Sequence, residues 1–310
     1  MSAEHLTDSR TWIGGQARLS VLVPFHGDDP RPLLDALEAQ AAELEGAVEI
    51  VVLDDGNPDR SLVNQVARRL SAMQAPARLI GMQGNEGRSK GRNRLARHAR
   101  ARHLLFLDSD MAPDSEGFLA RWLEAAGEDA ALAFGGFTVD AAPVTPHTVL
   151  HQAMSRGSDC LPAQARSLQP EKHVFTSNLL VRRDVFEQER FDEGFSGWGW
   201  EDVEWAMRVG RRWPITHIDN TATHLGLDTA EALMRKYEQS AGNFARVLQA
   251  HPEIVARYAS FRAARMLRRL PLRGLWRPLL KRLARATATP VGLRVLAAKT
   301  YRAALYAEVL

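Results

Sequence analysis

Acidic residues stand directly after two short apolar runs of the sequence. Asp54 and Asp55 follow the run 48–53, and Asp108-Ser109-Asp110 follows the run 104–107. Carboxylates one residue apart can hold a hard divalent cation such as Mg²⁺ or Mn²⁺ through oxygen. A carboxylate can also accept hydrogen bonds from a nucleoside base or from ribose hydroxyls. The alternative for each group is a solvated turn or a helix N-cap, so the position of the acids in the fold decides their role.

A glycine-rich and basic segment, 84–93, precedes a helical pattern. Backbone N–H groups at the start of a helix, with Lys90 and Arg92 close by, favour the binding of phosphate. The segment fits neither the G-x-x-x-x-G-K-[ST] pattern nor the G-x-G-x-x-G pattern, which excludes a P-loop and a dinucleotide fingerprint. The alternative for this segment is a flexible basic loop.

A third group of chemistry-bearing residues is Gly197-Trp198-Gly199-Trp200-Glu201-Asp202. Glycines let a backbone approach a sugar closely, and indole rings offer faces on which a pyranose can stack. The two acids can bind an acceptor hydroxyl and remove its proton. The alternative is a tryptophan-rich turn of the core, followed by an acidic pair that starts a helix.

An α/β fold must position these residues. The runs 19–24, 48–53, 77–82 and 104–107 alternate with helical patterns, which predicts parallel strands joined by helical crossovers. Ligands of such sheets bind at the carboxyl ends of the strands, where both acidic groups fall. Beyond them the patterns predict strands at 134–139 and 174–181, a short helix at 202–209, and helices from 229 onward that break near Pro252, Pro271, Pro278 and Pro290.

Four motifs occur in an order that resembles family 2 glycosyltransferases of the GT-A fold, at 21–25, 53–57, 87–93 and 105–110. The resemblance implies a Rossmann-like mixed sheet with a nucleotide-binding half. It implies that Pro24 and Phe25 line the base, that Asp55 contacts uracil, and that Asp108 and Asp110 hold ribose and metal. The other residues of these motifs that we assign to the nucleotide-sugar are Asp54, Lys90, Arg92, Asn93 and Ser109.

The segment 197–202 looks like the Gly-Trp-Gly-x-Glu-Asp motif of galactosyltransferases, N-acetylgalactosaminyltransferases and bacterial chondroitin-type polymerases. This likeness implies that Asp202 is the catalytic base and that Glu201, Trp198 and Trp200 bind the acceptor. Those enzymes often have a small residue at the position of Trp200, so its large indole should narrow the acceptor pocket.

Two further residues are assigned through the same likeness. His224 stands where the relatives have a metal ligand, and a neutral imidazole suits Mn²⁺. Taken alone, His224 would more often be structural, and the nearby His217 competes for the role. Asn178 belongs to a Ser-Asn step before a strand, which resembles the family, and we predict that it lines the donor sugar; otherwise it forms a turn.

The 310 residues include one cysteine, Cys160, which excludes an internal disulfide and favours a reducing cytoplasm. Residues 1–16 lack the basic start and apolar run of a signal peptide. No uncharged apolar run reaches the roughly 18 residues that predict a membrane span. We predict a tail at 1–17, a GT-A domain at 18–228 with halves at 18–140 and 141–228, and a basic helical extension at 229–310.

The net charge of +3 conceals an asymmetry, because twelve Lys and Arg residues face a single acid from Arg262 onward. Helical spacing groups Leu272, Leu275, Trp276, Leu279, Leu280 and Leu283 on one face and Arg273, Arg277, Lys281 and Arg285 on the other. Such a helix suits an anionic membrane surface. It equally suits packing against the catalytic domain. No nucleic-acid-binding module is recognised, so we expect no nucleic acid partner.

Together these patterns predict an inverting, metal-dependent glycosyltransferase with Mn²⁺ or Mg²⁺. It would move a hexose or N-acetylhexosamine from a UDP-sugar to a glycan or lipid-linked acceptor in bacterial surface polysaccharide synthesis, in the cytoplasm or at the inner face of the plasma membrane. One alternative is a sugar nucleotidyltransferase, which should carry a Gly-x-Gly-Thr-Arg loop where this chain has Pro24-Phe25-His26-Gly27-Asp28. Another is a catalytically silent carbohydrate-binding protein at the membrane surface.

Overall fold

Strands and helices alternate along the first half of the chain, as the apolar runs predict. A computed structural model describes residues 4–13 and 16–310. The strands within these ranges are β1 (His5–Asp8), β2 (Leu19–Phe25), β3 (Val48–Asp54), β4 (Ala77–Gly81), β5 (His103–Leu107), β6 (Met111–Pro113), β7 (Leu132–Phe134), β8 (Phe137–Thr138), β9 (Asn178–Arg182), β10 (Thr216–His217) and β11 (Ala222–His224).

Helices begin where local chemistry favours them. Proline at the first turn starts the first helix, and the side chain of Asp59 accepts from the N–H of Ser61 to cap the second. The α-helices of the described residues are α1 (Arg31–Ala42), α2 (Arg60–Ser71), α3 (Arg88–His98), α4 (Phe118–Gly127), α5 (Val149–Ser158), α6 (Ala163–Arg166), α7 (Arg183–Gln188), α8 (Glu201–Val209), α9 (Ala230–Ala250), α10 (Pro252–Val255), α11 (Ala259–Leu267), α12 (Arg273–Arg285) and α13 (Val291–Tyr306), and a 3₁₀ turn spans Pro170–His173.

The main sheet has the order β1-β4-β3-β2-β5-β9-β7-β10. The four predicted strands β2, β3, β4 and β5 are parallel neighbours. The strands β1 and β9 are antiparallel to their neighbours. The sheet is therefore mixed, as the resemblance implies, and its parallel half is the part that the helical crossovers predict.

Side chains of the parallel strands alternate between the two faces of the sheet. In β2, Leu19, Val21 and Val23 belong to one core, whereas Leu22 belongs to the other. Helices cover both faces, which is why these strands read as continuous apolar runs. The carboxyl ends of β2, β3 and β5 thus lie at one edge of the sheet, with the acidic residues directly beyond them.

A second sheet of three short strands, β6-β11-β8, stands beyond the end of β5. The strand β11 pairs antiparallel with β6, and this register sets His224 opposite Met111. The histidine and Asp110 are far apart in sequence, but the pairing makes them neighbours.

Three sequence predictions differ from the structure in detail. The strand predicted at 134–139 is interrupted at Gly135 and Gly136, where any side chain would collide with Asn178 or with Arg166. The strand predicted at 174–181 begins only at Asn178 and is antiparallel. No strand was expected before Leu19, yet β1 lies in the predicted tail 1–17, of which residues 1–3 and 14–15 are outside the described residues.

Residues from α9 onward are helical, as predicted, with breaks at Pro252, Pro271 and Pro290. The helix α12 continues through Pro278, where the sequence predicted a break. A third apolar core joins these helices to Leu150 of α5 and Val203 of α8. Among the described residues, no helix combines the length and apolarity that crossing a bilayer requires.

Candidate active site

Asp110 and His224 form a direct pair at the edge of the main sheet. The Nε2 atom of His224 lies 3.1 Å from the Oδ2 atom of Asp110. The N–H of Leu225 donates to the carbonyl of Asp110 at 2.9 Å, which holds the two loops together. A Cβ atom on Gly226 would stand 2.1 Å from that same Oδ2, so only glycine permits this approach.

The electrostatics of this pair favour a charged imidazole in the absence of other cations. Burial acts to lower the pKa of His224, but the hydrogen bond and the charge of Asp110, with that of Asp108, raise it overall. The ring of His151 lies 5.7 Å from that of His224, between centroids. Burial lowers the pKa of His151 to about 4, and its Nδ1 accepts from the N–H of Asp228 at 2.7 Å, so it is neutral.

Two arginines of α3 connect the acid after β5 with the acid at the start of α8. Arg92 donates to Asp108 at 2.8 Å, and its side chain is only 2% exposed. The Nε atom of Arg88 lies 3.0 Å from Glu201, and an Nη atom lies 3.7 Å from Asp108. Burial alone would raise the pKa of Asp108, but Arg92 and Arg88 lower it. Asp108 is therefore ionised and held by arginine.

Arg88 also shows that the distant acids converge. Burial opposes its charged form, yet four carboxylates raise its pKa, those of Glu201, Asp108, Asp202 and Asp110 in decreasing order. The effects of charges fall with distance and are screened by solvent. All four acids are therefore close enough to act on the charge of Arg88, and two of them, Glu201 of the acceptor motif and Asp108 of the donor motif, lie within 4 Å of it.

Several buried polar atoms in this region have no hydrogen-bond partner among the described residues. They are Arg92 Nε and Nη1, Ser89 Oγ and Glu201 Oε2. Nearly all buried polar groups in proteins are paired, so unpaired ones mark a strained or functional place. A cleft of about 270 Å³ is lined by the start of α3, including Arg88, Ser89 and Lys90, and by Gly197 and Glu201 of the acceptor motif.

Asp202 is the second residue of α8, and it is partly buried. Its Oδ1 atom accepts from the N–H of Val203 at 2.9 Å. Burial, followed by the negative charge of Glu201, raises its pKa to about 7, although Arg92 and Arg88 oppose this. A carboxylate with a pKa near neutrality can take a proton from a hydroxyl and release it again.

The predicted residues at the ends of β2 and β3 are mostly buried or hydrogen-bonded within the protein. Phe25 is 2% exposed and belongs to the apolar core, while Pro24 beside it is half-buried. Asp54 is fully buried and accepts from the N–H of Asn57 at 2.7 Å, which is the turn role that was the alternative. Asp55 accepts from the N–H groups of Glu86 and of the glycine that follows it, so it anchors the basic loop.

Two predicted asparagines are structural in this conformation. Asn93 exchanges hydrogen bonds with the backbone of Phe191, and its amide donates to Glu193 at 3.0 Å. Asn178 is fully buried and donates to the carbonyls of Gly136 and Asn220. Their contact with a donor sugar stays a prediction. Of the other predicted residues, Lys90 is exposed and Ser109 is 7% exposed.

The two tryptophans of the acceptor motif differ in their surroundings. Trp200 donates through Nε1 to the hydroxyl of Tyr306 at 3.0 Å, and its ring packs 5.2 Å from that of Phe244. It is thus turned toward the helical extension, with a left-handed backbone φ of 78°. Trp198 is half-buried, with Lys236 Nζ at 5.9 Å from its ring.

The predicted metal ligands are only partly brought together. No cluster of three acids, histidines or cysteines that could hold a metal occurs in the described ranges 4–13 and 16–310. Asp110 and His224 offer one oxygen and one nitrogen within reach of a single ion. Asp108 is paired with Arg92 and lies near Arg88 in this structure, and its role as a metal ligand stays a prediction. Two protein ligands suit an ion that is completed by phosphate oxygens.

Arg88, His151 and Lys236 were not predicted as site residues. Lys236 lies on α9, and its Nζ atom is 2.6 Å from Oδ2 of Asp228. Its positive charge also acts to lower the pKa values of Asp28 and His224. No motif includes His151 or Lys236, because the contacts that bring them here join distant segments, and Arg88 lies in the motif 87–93, of which only Lys90, Arg92 and Asn93 were assigned. Only the basic character of the segment 84–93 pointed toward Arg88.

Low-identity solved structures share this fold. The crystal structure of S. aureus TarS 1–349 is 17% identical with a TM-score of 0.55, covering 94% of this chain and 90% of that one. The mannosyltransferase PcManGT from Pyrobaculum calidifontis, solved with GDP-Man and Mn²⁺, is 18% identical with a TM-score of 0.57, covering 97% and 89%. These matches confirm the predicted α/β GT-A fold with a helical C-terminal part.

Sequence comparison gives the family. The uncharacterized glycosyltransferase YibD of Escherichia coli K12 is 33% identical over 95 residues, which cover 30% of this chain and only 26% of that protein. The sequence profile described as Glycosyl transferase family 2 matches residues 20–190, which is more than half of the chain and includes β2 to α7. The chain belongs to glycosyl transferase family 2.

Proposed function

We propose that this protein is an inverting, metal-dependent glycosyltransferase. It moves a hexose or N-acetylhexosamine from a UDP-sugar to a hydroxyl of a glycan or lipid-linked acceptor, in bacterial surface polysaccharide synthesis. The observation that carries the proposal is that Arg88 lies 3.0 Å from Glu201 and 3.7 Å from Asp108. Arg88 therefore joins the acid after β5 to the acidic pair Glu201 and Asp202 at the start of α8.

Asp202 is the base in this proposal. Its oxygen accepts the proton of the acceptor hydroxyl while that hydroxyl oxygen attacks the anomeric carbon, and the bond to the nucleoside diphosphate breaks on the opposite side. A single displacement of this kind inverts the anomeric configuration. Glu201 accepts from acceptor hydroxyls through Oε2, an atom that has no other partner among the described residues. Arg88 fixes its other oxygen.

The donor lies against the start of α3 and the acids after β5. Arg88 and Lys90 supply positive charge to the diphosphate, and Asp108, held by Arg92, accepts from a ribose hydroxyl. The divalent cation, Mn²⁺ or Mg²⁺, would be held by Asp110 and His224. When bound, it would neutralise charge on the departing diphosphate.

Similar proteins support the choice of donor class and cation. TarS has been crystallised in complex with UDP-GlcNAc, and PcManGT in complex with GDP-Man and Mn²⁺. We choose a UDP-sugar because the loop after β3 resembles the uracil-contacting motif. The location that follows is the cytoplasm, at the inner face of the plasma membrane where lipid-linked acceptors are found.

Two variants test the proposal. In Asp202→Asn the base is lost, so UDP release from UDP-glucose, UDP-galactose and their 2-acetamido analogues with Mn²⁺ should fall by about 100-fold or more. The thermal shift caused by the same nucleotide sugars should remain, because Asp202 does not hold the donor. The matched control is Asp184→Asn, an exposed acid paired with Arg182, and it should keep full turnover.

Unchanged turnover in Asp202→Asn would remove this residue from the mechanism. A wild-type protein that binds UDP-sugars with Mn²⁺ and transfers none of them would support the silent carbohydrate-binding alternative. Formation of a nucleotide sugar from a sugar phosphate and a nucleoside triphosphate would support the nucleotidyltransferase.

A further inference from the structure

Exposed apolar side chains are concentrated on one part of the helical extension. Of thirteen large hydrophobic residues that are exposed among the described residues, eight lie between 266 and 296. A soluble protein rarely leaves such a concentration uncovered without a function. These residues are Met266, Leu270, Leu272, Leu275, Leu279, Leu283, Leu293 and Leu296.

The apolar face of α12 is only partly covered. Trp276 and Leu280 pack against the third core, and Ala284, one turn after Leu280, is fully buried. The adjacent, uncovered part is the leucine face, which we define as the N-cap residue Leu272 with Leu275, Leu279 and Leu283, whose exposed fractions are 69, 68, 66 and 39%. Their spacing of three and four residues aligns them along the helix. The single apolar face that the sequence suggested is therefore divided between the core and the surface.

The basic residues of α12 are divided in the same way. Arg277 pairs with Glu308, Lys281 with Glu238 at 2.7 Å, and Arg285 with Glu231. These three ion pairs hold one side of α12 against the rest of the protein. On that side the helix packs on the protein, which was the alternative to a membrane surface. The side chain of Arg273 is outside the described part of the structure.

Four other arginines lie on these helices or directly after one of them. Arg262, Arg265 and Arg269 recur at helical spacing on α11 and just beyond it, next in sequence to the exposed Met266 and Leu270, and Arg282 directly precedes Leu283 on α12. All four are exposed, and no carboxylate within the described ranges pairs with them. A row of apolar side chains bordered by unpaired cations has the character of an interfacial membrane helix.

We propose that the helices α11 to α13 dock on an anionic lipid surface. The leucine face enters the boundary between headgroups and acyl chains, and the four arginines contact anionic headgroups. A second copy of the chain fits less well, because a two-fold interface would bring the same unpaired arginines together. An anionic bilayer covers the leucines and attracts the arginines at once.

The docking surface belongs to the same layer of helices that holds the acceptor motif. Tyr306 at the end of α13 accepts from Trp200, and Glu238 of α9 holds Lys281 of α12. Docking would therefore orient the acceptor side of the cleft relative to the membrane. Only this consequence rests on the proposed function, since lipid binding itself needs no catalysis.

The test is cosedimentation of the full-length chain with vesicles of phosphatidylcholine, alone or mixed with phosphatidylglycerol. We expect binding to the mixed vesicles only, and weaker binding as salt is added. Each of Arg269→Gln and Arg282→Gln should weaken the partition coefficient about fivefold. The double change Leu275→Ser and Leu279→Ser should weaken it more. Matched controls are Leu168→Ser, a leucine that is 82% exposed elsewhere, and Arg121→Gln on α4.

Absence of binding to the mixed vesicles would overturn the proposal, as would equal binding of the leucine or arginine variants and their controls. Sedimentation velocity without lipid tests the alternative that a second copy of the chain binds this face. If the chain self-associates and the two serine substitutions abolish the association, the leucine face is an interface between copies. The arginine variants keep the test valid if the leucine variant fails to fold. Asp202→Asn should bind vesicles like the wild type, so a failure here is distinct from a failure of the proposed catalysis.

Discussion

Asp202 is held where its ionised form is disfavoured, and this has a cost in stability. Its pKa rises from 3.8 to about 7 in the folded protein. Between these values the folded state binds more protons than the unfolded state, so stability falls as the pH rises. We expect Asp202→Asn to be more stable than the wild type at pH 8, by on the order of 1–3 kcal/mol, and nearly equal to it at pH 4. Urea unfolding at several pH values measures this difference.

The control variant is Asp184→Asn, and any change in its stability at pH 8 should be in the opposite direction. The hydrogen bond from Arg182 lowers the pKa of Asp184, so its Asn variant should lose a little stability at pH 8 or change nothing. A stability difference for Asp202→Asn that is constant between pH 4 and pH 8 would contradict the raised pKa. Because a base with a pKa near 7 is ready to exchange protons, the same burial that weakens the fold supports the proposed chemistry.

Single residues also show how much of the site can be predicted from the sequence. Acids after β3 and β5 were predicted to fall at one edge of a parallel sheet, and the parallel pairing of β2 with both strands confirms this. The pairing of Asp108 with arginines could not be predicted from the sequence, because it depends on how α3 packs over the ends of the strands. The role of Asp54 as a turn acceptor likewise depends on its complete burial.

At the scale of elements, the acceptor motif is tied to α13 rather than left as a free loop. Trp200 donates to Tyr306, whose ring stacks on Phe244 at 4.2 Å between centroids. We expect Tyr306→Phe to cost about 1 kcal/mol of stability and to raise the KM for the acceptor more than the KM for the donor. The control is Tyr301→Phe on the same helix, whose hydroxyl contacts Glu238 and not the motif. An equal effect of both variants on the acceptor KM would show that α13 does not position the motif.

The elements themselves were predictable to different degrees. Apolar runs and turn residues located β2, β3, β4 and β5, because a parallel sheet covered on both faces needs continuous apolar strands. The antiparallel direction of β9 was not predictable, since a run such as 178–182 looks the same in either direction. Nor was β1, whose four residues are mostly exposed and carry no apolar pattern.

At the scale of the whole molecule, the extension 229–310 shares an apolar core with the preceding helices. Its core includes Met154 of α5 and Met207 of α8 together with Phe244 and Tyr301 of the later helices. A core shared across a predicted boundary at 228 should make both parts unfold together. The predicted boundary at 228 marks the start of the continuous helical pattern, and the strongly basic composition begins later, near Arg262.

This sharing predicts one cooperative transition. We expect a single calorimetric peak for the full-length chain, with a van't Hoff enthalpy that matches the calorimetric one. A chain ended at residue 228 should lose its native thermal transition and expose apolar surface of α5 and α8 to a dye such as ANS. Trp200→Ala in the full-length chain is the matched change, because it should weaken the junction and lower the one transition without splitting it. Two separate peaks, or a stable folded protein from residues 1–228, would show that the catalytic half folds alone and that the helices are added to it.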